Sequence, residues 1–490
     1  MKNRRSIYTI AVVLACTVLS SCSDWLDINH SPNSAEKVEP GYLFNYVAVN
    51  WAGSRTGGDS YIPFSQSIQC QADGGDDYGS WGEAFYDISP YSIANTWKHY
   101  YSVGGNNLQL AIKNAQEATP VNHNAIAQCK IVLAEHLYEA TMIWGDVPFT
   151  EAWVESIKYP KFDSQEVVLN GVISLLDEAL NEIDANDPLA ITDYDIYYKG
   201  DMQKWARLAK SLKFRTLMVM VDKDPTKAEQ IGKLITDGGM VSSADDNFQF
   251  PYLETAGNEN PKYKILEKYT NGINIMFFAN NSVFKPMQER NDSRISRYFE
   301  PGIDGVYRGL DTREAAEETD DENADLLSSV ISEYLFRKDA PELIYSYQEQ
   351  LFFEAEAYAR GLGVTADLTK ANELYKKAIK AACDFYEANA TETTAFIDGL
   401  PDLNTLSSEQ ALYEIHIQQW IDLMDRPLDE FVQWRRSGAN GNEVPTLTVP
   451  SEATSRELIR RWEYSPEEMT SNPNAPKESP KIWEKMWFDL

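Results

Sequence analysis

The side chains best placed for chemistry are aromatic and acidic residues in one glycine-rich stretch. Asp76 and Asp77 precede Tyr78 and Trp81, and Tyr61 lies upstream of them. A glycosidase needs two carboxylates about 5–9 Å apart, one with a pKa raised by burial, and adjacent aspartates among glycines give no sign of that environment. Aromatic rings pack against the C–H faces of sugars, while carboxylates accept hydrogen bonds from hydroxyls. The stretch therefore favours ligand binding over catalysis.

Two patterns that look like enzyme motifs are explained better by helix boundaries. Residues 361–366 match G-x-G-x-x-A, but a dinucleotide site needs a strand before the motif, and a helix is predicted there, so we predict a helix–helix turn. Residues 144–148, Trp-Gly-Asp-Val-Pro, are typical of a helix that stops at glycine. The chain contains no G-x-S-x-G, P-loop or H-E-x-x-H motif. We predict that the protein is not an enzyme.

Composition excludes several classes of partner. The chain carries 75 acidic against 44 basic residues, a net charge of −31, so nucleic acid is excluded as a partner. Its five histidines show no metal-ligand spacing, and we predict no cofactor and no metal. Calcium in the acidic loops stays open, without ligand spacing to support it. Cys70, Cys129 and Cys383 form no disulfide framework, although one bond remains open.

Periodicity predicts a mainly α-helical fold. Apolar residues recur at helical spacing over about 35–240 and 341–437, which we interpret as the scaffold. Ala371, Tyr375 and Ala378 reproduce the spacing of the second helix of a tetratricopeptide repeat. The last fifty residues are expected to be irregular. The fold class predicted is thus a tetratricopeptide-like helical repeat scaffold with inserted irregular segments.

Two aromatic-rich segments, at about 53–90 and 245–310, interrupt the helical pattern. We interpret both as irregular ligand-binding insertions, since long loops in a compact protein are usually functional or disordered and disordered segments lack aromatics. Insertions in repeat scaffolds collect on one face, so we expect the two segments to meet. The second segment adds Tyr263, Asn274 and Phe277 as candidate ligand residues. The alternative is that such aromatics only pack the loops onto the scaffold.

The N-terminus predicts export and lipidation. Lys2, Arg4 and Arg5 precede an apolar run from Ile7 to Leu19 that is too short for a transmembrane helix. The run ends in Leu-Ser-Ser-Cys, which resembles the lipobox of bacterial lipoproteins. We predict that residues 1–21 are a signal peptide, that Cys22 is lipidated and that 22–490 form a single body. The alternative is a plain secretory cleavage.

Motifs spread over most of the chain resemble the SusD/RagB family of outer-membrane nutrient-binding lipoproteins. Each motif is weak alone, whereas their order and spacing are specific. Ser465 departs from the pattern, which has proline there. The residues that carry the resemblance are Asp24–Asn29, Ser31–Asn33, Trp144–Phe149 with Glu151-Ala152, Trp205, Ser211–Lys213, Arg215, Glu354–Ala357, Arg360-Gly361, Trp434–Gly438, Arg461, Tyr464, Glu468 and Asn472.

The resemblance implies a helical fold with four tetratricopeptide-like units, a lipid anchor at the cell surface and no catalysis. It also implies a TonB-dependent outer-membrane transporter (SusC-like) as partner and a glycan or peptide as ligand. No ligand residue carries over from the family. Two alternatives stay open: a tetratricopeptide scaffold lipoprotein for outer-membrane assembly, and a surface glycoside hydrolase.

Overall fold

Stretches with apolar residues at helical spacing form the helices of the first half of the chain. The computed structural model describes residues 38–73, 82–312, 327–453 and 455–490. The longest of these helices begins where the Asn122 side chain accepts a hydrogen bond from the Ala125 amide, and it ends at Gly145, whose φ is +78°. The helices are α1 (Pro40–Thr56), α2 (Tyr61–Ser67), α3 (Pro90–Lys98), α4 (Asn106–Gln116), α5 (His123–Trp144), α6 (Gln165–Glu182), α7 (Met202–Met220) and α8 (Lys227–Asp237).

The second half is helical as well. Ala371, Tyr375 and Ala378 are buried in a helix that packs against the preceding one, as the repeat-like spacing predicts. Beyond residue 437 the described chain has one short helix, in line with the expected irregular end. The helices are α9 (Pro261–Thr270), α10 (Asn281–Glu289), α11 (Ile295–Tyr298), α12 (Tyr347–Arg360), α13 (Leu368–Phe385), α14 (Ala390–Gly399), α15 (Ser408–Leu423), α16 (Pro427–Arg436) and α17 (Pro466–Ser471).

Neighbouring helices pack in pairs. Helices α4 to α7 each contact the next in sequence, α1 lies against α4, and α12 contacts both α13 and α15. Each helix buries its apolar face on its neighbours, which is how helical repeats build a continuous core. The fold is therefore mainly α, with a helical-repeat scaffold, as predicted. No helix in the described ranges has the length and apolar character needed to cross a membrane.

Short strands connect distant parts of the scaffold. Four of them form a sheet in the order β1-β5-β7-β6, and β2–β3 and β4–β8 form antiparallel pairs. Phe248 and Phe250 lie in β4, where aromatic residues alternate with Gln249 as expected of a strand. The strands are β1 (Gln71–Asp73), β2 (Val147–Pro148), β3 (Phe162–Asp163), β4 (Phe248–Phe250), β5 (Phe277–Ala279), β6 (Phe299–Glu300), β7 (Val330–Ile331) and β8 (Glu342–Tyr345).

Both segments predicted to be irregular contain helices, which corrects the sequence interpretation. In the first, α1 continues to Thr56 and α2 is buried along its whole length, so it shows no amphipathic period. In the second, Asn260-Pro261 suggests a turn but is the cap and first residue of α9. Helix α10 contains Pro286, which also hides it from a pattern search.

The glycine motif at 361–366 is a turn between α12 and α13, as predicted. Gly361 and Gly363 have φ of +71° and +66°, a region that favours glycine. Gly363 also lies against Gly232 of α8, where a Cβ on Gly363 would overlap the carbonyl oxygen of Ala228. The two glycines therefore let α8 approach the turn by its backbone.

We expect Gly363→Ala to lower the free energy of unfolding by about 2 kcal/mol, because the added methyl both strains φ and collides with backbone. Gly53→Ala is the matched control, since Gly53 lies in α1 and no heavy atom lies within 4 Å of the position that an added methyl would occupy. Chemical denaturation compares the two variants. Equal stabilities would contradict the close-packing interpretation.

A network of buried ion pairs joins the two halves of the scaffold. At the end of α1, the guanidinium of Arg55 donates to Glu139 of α5, to Glu342 of β8 at 2.6 Å and to Asp429 of α16 at 2.8 Å. All four side chains are at most 6% exposed. Other buried pairs include Arg215–Glu135, Arg426–Glu349, Arg436–Glu356, Arg294–Asp292 and Arg460–Glu443.

We expect Arg55→Ala to destabilise the protein by about 3–5 kcal/mol, because it leaves buried carboxylates without a counter-charge. Lys233→Ala serves as the control, since Lys233 and its partner Asp237 are 73% and 53% exposed and such pairs contribute less than about 1 kcal/mol. Urea denaturation measures both. A loss no larger for Arg55→Ala than for the control would show that the network adds nothing to stability.

Candidate functional site

The two predicted insertions come together, as expected from the sequence. Strand β1 belongs to the first segment and β5 to the second, and the strands pair antiparallel with Asp73 opposite Phe277. The chain of the first segment therefore leaves the sheet beside the start of β5, next to the loop 271–276 and helix α9. This junction is the candidate site.

Its base is a buried aromatic cluster, which corrects two of the predicted ligand residues. Tyr61 and Phe277 are 1% and 0% exposed, and their ring centroids lie 6.1 Å apart, both packed against Phe336. The Lys262 ammonium lies over Tyr61 and bonds Asp425 at 2.7 Å, and the Tyr61 hydroxyl also donates to Asp425. Burial raises the pKa of Tyr61. These rings support the site from below, so the packing alternative holds for them.

Asn274 positions a loop with its side chain. Its Nδ2 donates to the carbonyl oxygen of Ile331 at 2.9 Å, and its Oδ1 accepts from the amides of Met276 and Phe277. The carboxamide thus ties the loop 271–276 to strand β7. Its polar atoms are engaged within the protein, so Asn274 acts as a positioning residue.

Tyr263 is the predicted ligand residue that reaches the surface within the described chain. It is half-buried on α9, and the ammonium groups of Lys338 and Lys264 lie 5.0 and 5.7 Å from its ring centroid. Asn260, which caps α9, donates from its backbone to Lys338 and from its side chain to Ala340. The cap therefore fixes Tyr263 beside the turn 332–340.

Further exposed residues around Tyr263 were missed by the sequence reasoning. Tyr269 and Ile273 are 50% and 66% exposed at the end of α9 and in the following loop. Tyr334 is half-buried between the guanidinium groups of Arg297 and Arg337, at 4.6 and 4.2 Å. Recognising α9 as a helix would have placed its tyrosines on a surface. The group Tyr263, Tyr269, Ile273 and Tyr334 lies on or near α9 without sharing one side of that helix, and we call it the α9 face.

Carboxylates also occur in the sequence on both sides of the undescribed residues 74–81. Glu83 is buried, burial raises its pKa, and the charges of Asp87 and Asp73 raise this pKa further. Within the described ranges, no three His, Cys, Asp or Glu side chains are arranged to hold a metal ion. The predicted residues Asp76, Asp77, Tyr78 and Trp81, and the predicted lipidation site Cys22, lie outside the described residues.

The α9 face offers groups that recognise a polyhydroxylated ligand. Its rings supply apolar surface, and the lysines and arginines beside them donate hydrogen bonds. The guanidinium groups of Arg297 and Arg337 lie close to the ring of Tyr334.

Three of the motifs that carry the family resemblance meet elsewhere, at the end of α5. The hydroxyl of Tyr464 donates to the carbonyl oxygen of Asp146 at 2.7 Å, and Arg461 donates to that of Trp144. Arg435 of α16 donates to the carbonyl oxygen of Met142 at 2.9 Å. These residues cap one helix with two distant segments. The three motifs therefore have a structural role.

Cys70, Cys129 and Cys383 are buried and free, so the disulfide left open by the sequence is not formed.

Comparison with known proteins agrees with the fold and the motifs. No protein with a curated description matches the chain. Among solved structures, a chitin-binding protein is 21% identical to this chain, with a TM-score of 0.77. The match covers 92% of this chain and 100% of the chitin-binding protein. A Bacteroidetes AC2a SusD-like protein is 20% identical, with the same TM-score and coverage. A SusD homolog from Bacteroides fragilis NCTC 9343 is 19% identical with a TM-score of 0.72, again covering 92% and 100%.

The SusD-like family, described as starch-binding and associating with the outer membrane, matches residues 32–465. The match spans most of the 490 residues and includes the helical scaffold and the α9 face. The chain therefore belongs to the SusD-like family.

Proposed function

We propose that this protein is a cell-surface lipoprotein that captures a glycan at the α9 face and passes it to a TonB-dependent outer-membrane transporter. The observation that carries the proposal is the pairing of β1 with β5, which brings the two aromatic-rich segments together. Membership of a family described as starch-binding supports a glycan as ligand. A peptide is the second ligand class. The protein binds its ligand without transforming it.

In this proposal the ligand lies across the end of α9. Tyr269 stacks on a sugar ring, Ile273 extends the apolar surface, and Lys268, whose ammonium is 4.7 Å from the Tyr269 centroid, donates to hydroxyls. Trp81, Tyr78, Asp76 and Asp77 lie outside the described residues and remain predicted ligand contacts.

We expect Tyr269→Ala to weaken glycan binding about tenfold, because loss of one stacking ring costs about 1 kcal/mol or slightly more. Calorimetry with malto-oligosaccharides and chitin oligosaccharides measures the change. Tyr91→Ala is the matched control, since Tyr91 is 81% exposed on α3, outside the face. Both variants should melt as the wild type does. Unchanged affinity in Tyr269→Ala would remove the α9 face as the binding site.

A second exposed surface supports a membrane partner. Tyr42, Tyr46 and Val49 are 53%, 50% and 47% exposed on α1, and their spacing places them on one side of the helix. Exposed tyrosines are typical of protein interfaces. A fully extended chain from Cys22 to Pro40 spans at most about 60 Å. A lipid on Cys22 would thus hold this helix near a transporter in the same membrane, which we take as its partner.

Mutations should separate the role of the lipid anchor at Cys22 from that of the proposed partner surface on α1. We expect Cys22→Ala to move the protein from the membrane to the soluble fraction while glycan affinity in solution is unchanged, because acyl chains supply the attachment. The pair Tyr42→Ala and Tyr46→Ala should leave it in the membrane but reduce co-purification of a TonB-dependent transporter, identified by mass spectrometry.

Tyr159→Ala, at a residue 39% exposed outside α1, is the control for the tyrosine pair. Membrane retention of Cys22→Ala would contradict lipidation. If the Tyr42→Ala, Tyr46→Ala variant co-purified as much transporter as the control variant, the proposed interface would be contradicted.

A further inference from the structure

An open groove of about 700 Å³ lies between the end of α10, helix α14 and helix α15. Glu289, Arg290 and Asn291 line one wall, Glu392 and Phe396 of α14 a second, and Glu414 of α15 a third. The groove shares no residue with the α9 face. Its volume falls within the range of small-molecule sites, about 300–1,000 Å³.

One wall carries a fixed ion pair. The guanidinium of Arg290 donates twice to Glu414, at 2.8 and 3.2 Å, and once to the carbonyl oxygen of Pro286 at 3.1 Å. Both side chains of the pair are 14% exposed, so part of each meets solvent in the groove. A bidentate pair of this kind presents donors and acceptors whose positions are set before a ligand arrives.

Tyrosines stand near two sides of the groove. Tyr413 is 45% exposed and adjoins Glu414 in α15. Burial alone lowers the pKa of Arg290. The hydrogen bond and charge of Glu414, with smaller contributions from Tyr375 and Tyr413, outweigh burial, so the pKa is raised. Tyr307 lies in the loop 301–309. Burial raises its pKa, and the negative charges of Glu300 and Glu392 raise it further. Tyr413 thus lies within electrostatic range of Arg290, and Tyr307 within range of Glu392.

The charge of the groove selects the class of ligand. Three glutamates face one arginine, and the whole chain carries −31, so phosphates, uronic acids and other anions are repelled. The carboxylates, the guanidinium and the carboxamide that line the groove suit hydroxyl groups on a neutral ring. A short neutral oligosaccharide has both the size and the hydrogen-bonding groups to fit.

We propose that this groove is a second glycan-binding site, which takes a neutral segment of the same polysaccharide that the α9 face binds. The proposal rests on the proposed function in one respect, the glycan as ligand. Two sites on one rigid body hold a polymer more tightly than either alone, because the second contact is intramolecular. Short oligosaccharides occupy each site independently.

The test uses the full-length protein with maltoheptaose, chitohexaose and the parent polymers starch and chitin. Calorimetry should give two short oligosaccharides per wild-type chain. The double variant Tyr413→Ala, Glu392→Gln should bind one, and its affinity for the polymer, measured by gel retardation, should fall about tenfold or more. The matched control pairs Tyr91→Ala with Glu409→Gln, an exposed glutamate in the first turn of α15.

The outcomes separate the two proposals. One site per chain in the wild type, unaffected by the groove variant but removed by Tyr269→Ala, overturns the groove and leaves the α9 face standing. Binding removed by the groove variant and untouched by Tyr269→Ala supports the groove and overturns the α9 face. Absence of oligosaccharide binding in the wild type overturns both. Equal melting temperatures across the variants establish that the changes are local.

Discussion

The corner between α15 and α16 is the constraint on which the rest of the structure depends. Within five positions, Asp425 bonds Lys262 and Tyr61, Arg426 bonds Glu349, and Asp429 bonds Arg55. Removing so many charges from water costs several kcal/mol per ion unless each finds partners in the interior. These bonds form together only when α1, α2, α9, α12 and α16 are all in place, and Arg55 extends them to Glu139 of α5. The scaffold and the base of the α9 face are therefore fixed by one set of interactions.

This arrangement separates what defines the fold from what meets the ligand. Arg461, Tyr464 and Arg435 satisfy carbonyl groups at the end of α5, where a helix leaves its last acceptors unpaired. None of these three residues belongs to the α9 face or the groove. A family can therefore keep such motifs while the surface residues change with the ligand. The resemblance therefore identifies the scaffold but does not identify the ligand.

The sequence predicts those features that depend on local backbone chemistry. Gly145 and the turn at 361–366 end helices because glycine adopts conformations closed to other residues. Strand β4 and the helical hairpins follow from the periods of their apolar residues. The meeting of the two segments also follows, because insertions on a repeat scaffold share a face. The helices within those segments and the burial of their aromatic side chains do not follow from the sequence.

Tyr61 and Phe277 show why the site itself was harder to predict. An aromatic among glycines and polar residues suggests a surface ring, but these two pack against Phe336, which is distant in sequence from both. Helix α2 gave no periodic signal because every side is buried. Burial of this kind is a property of the tertiary fold, so no window of sequence reports it. Tyr269 and Tyr413 are identified as exposed only because the structure shows which sides of α9 and α15 face solvent.

The fold also bears on how such a protein could release what it binds. The bases of both candidate sites are held by ion pairs, Lys262–Asp425 beneath the α9 face and Arg290–Glu414 in the groove. Sites with fixed geometry lose little side-chain entropy on binding, so moderate affinity needs few contacts. Under the proposed function, each contact is made with a small part of a long glycan chain, so release would proceed ring by ring. That mode of release would suit the proposed transfer of a polymer to a neighbouring transporter.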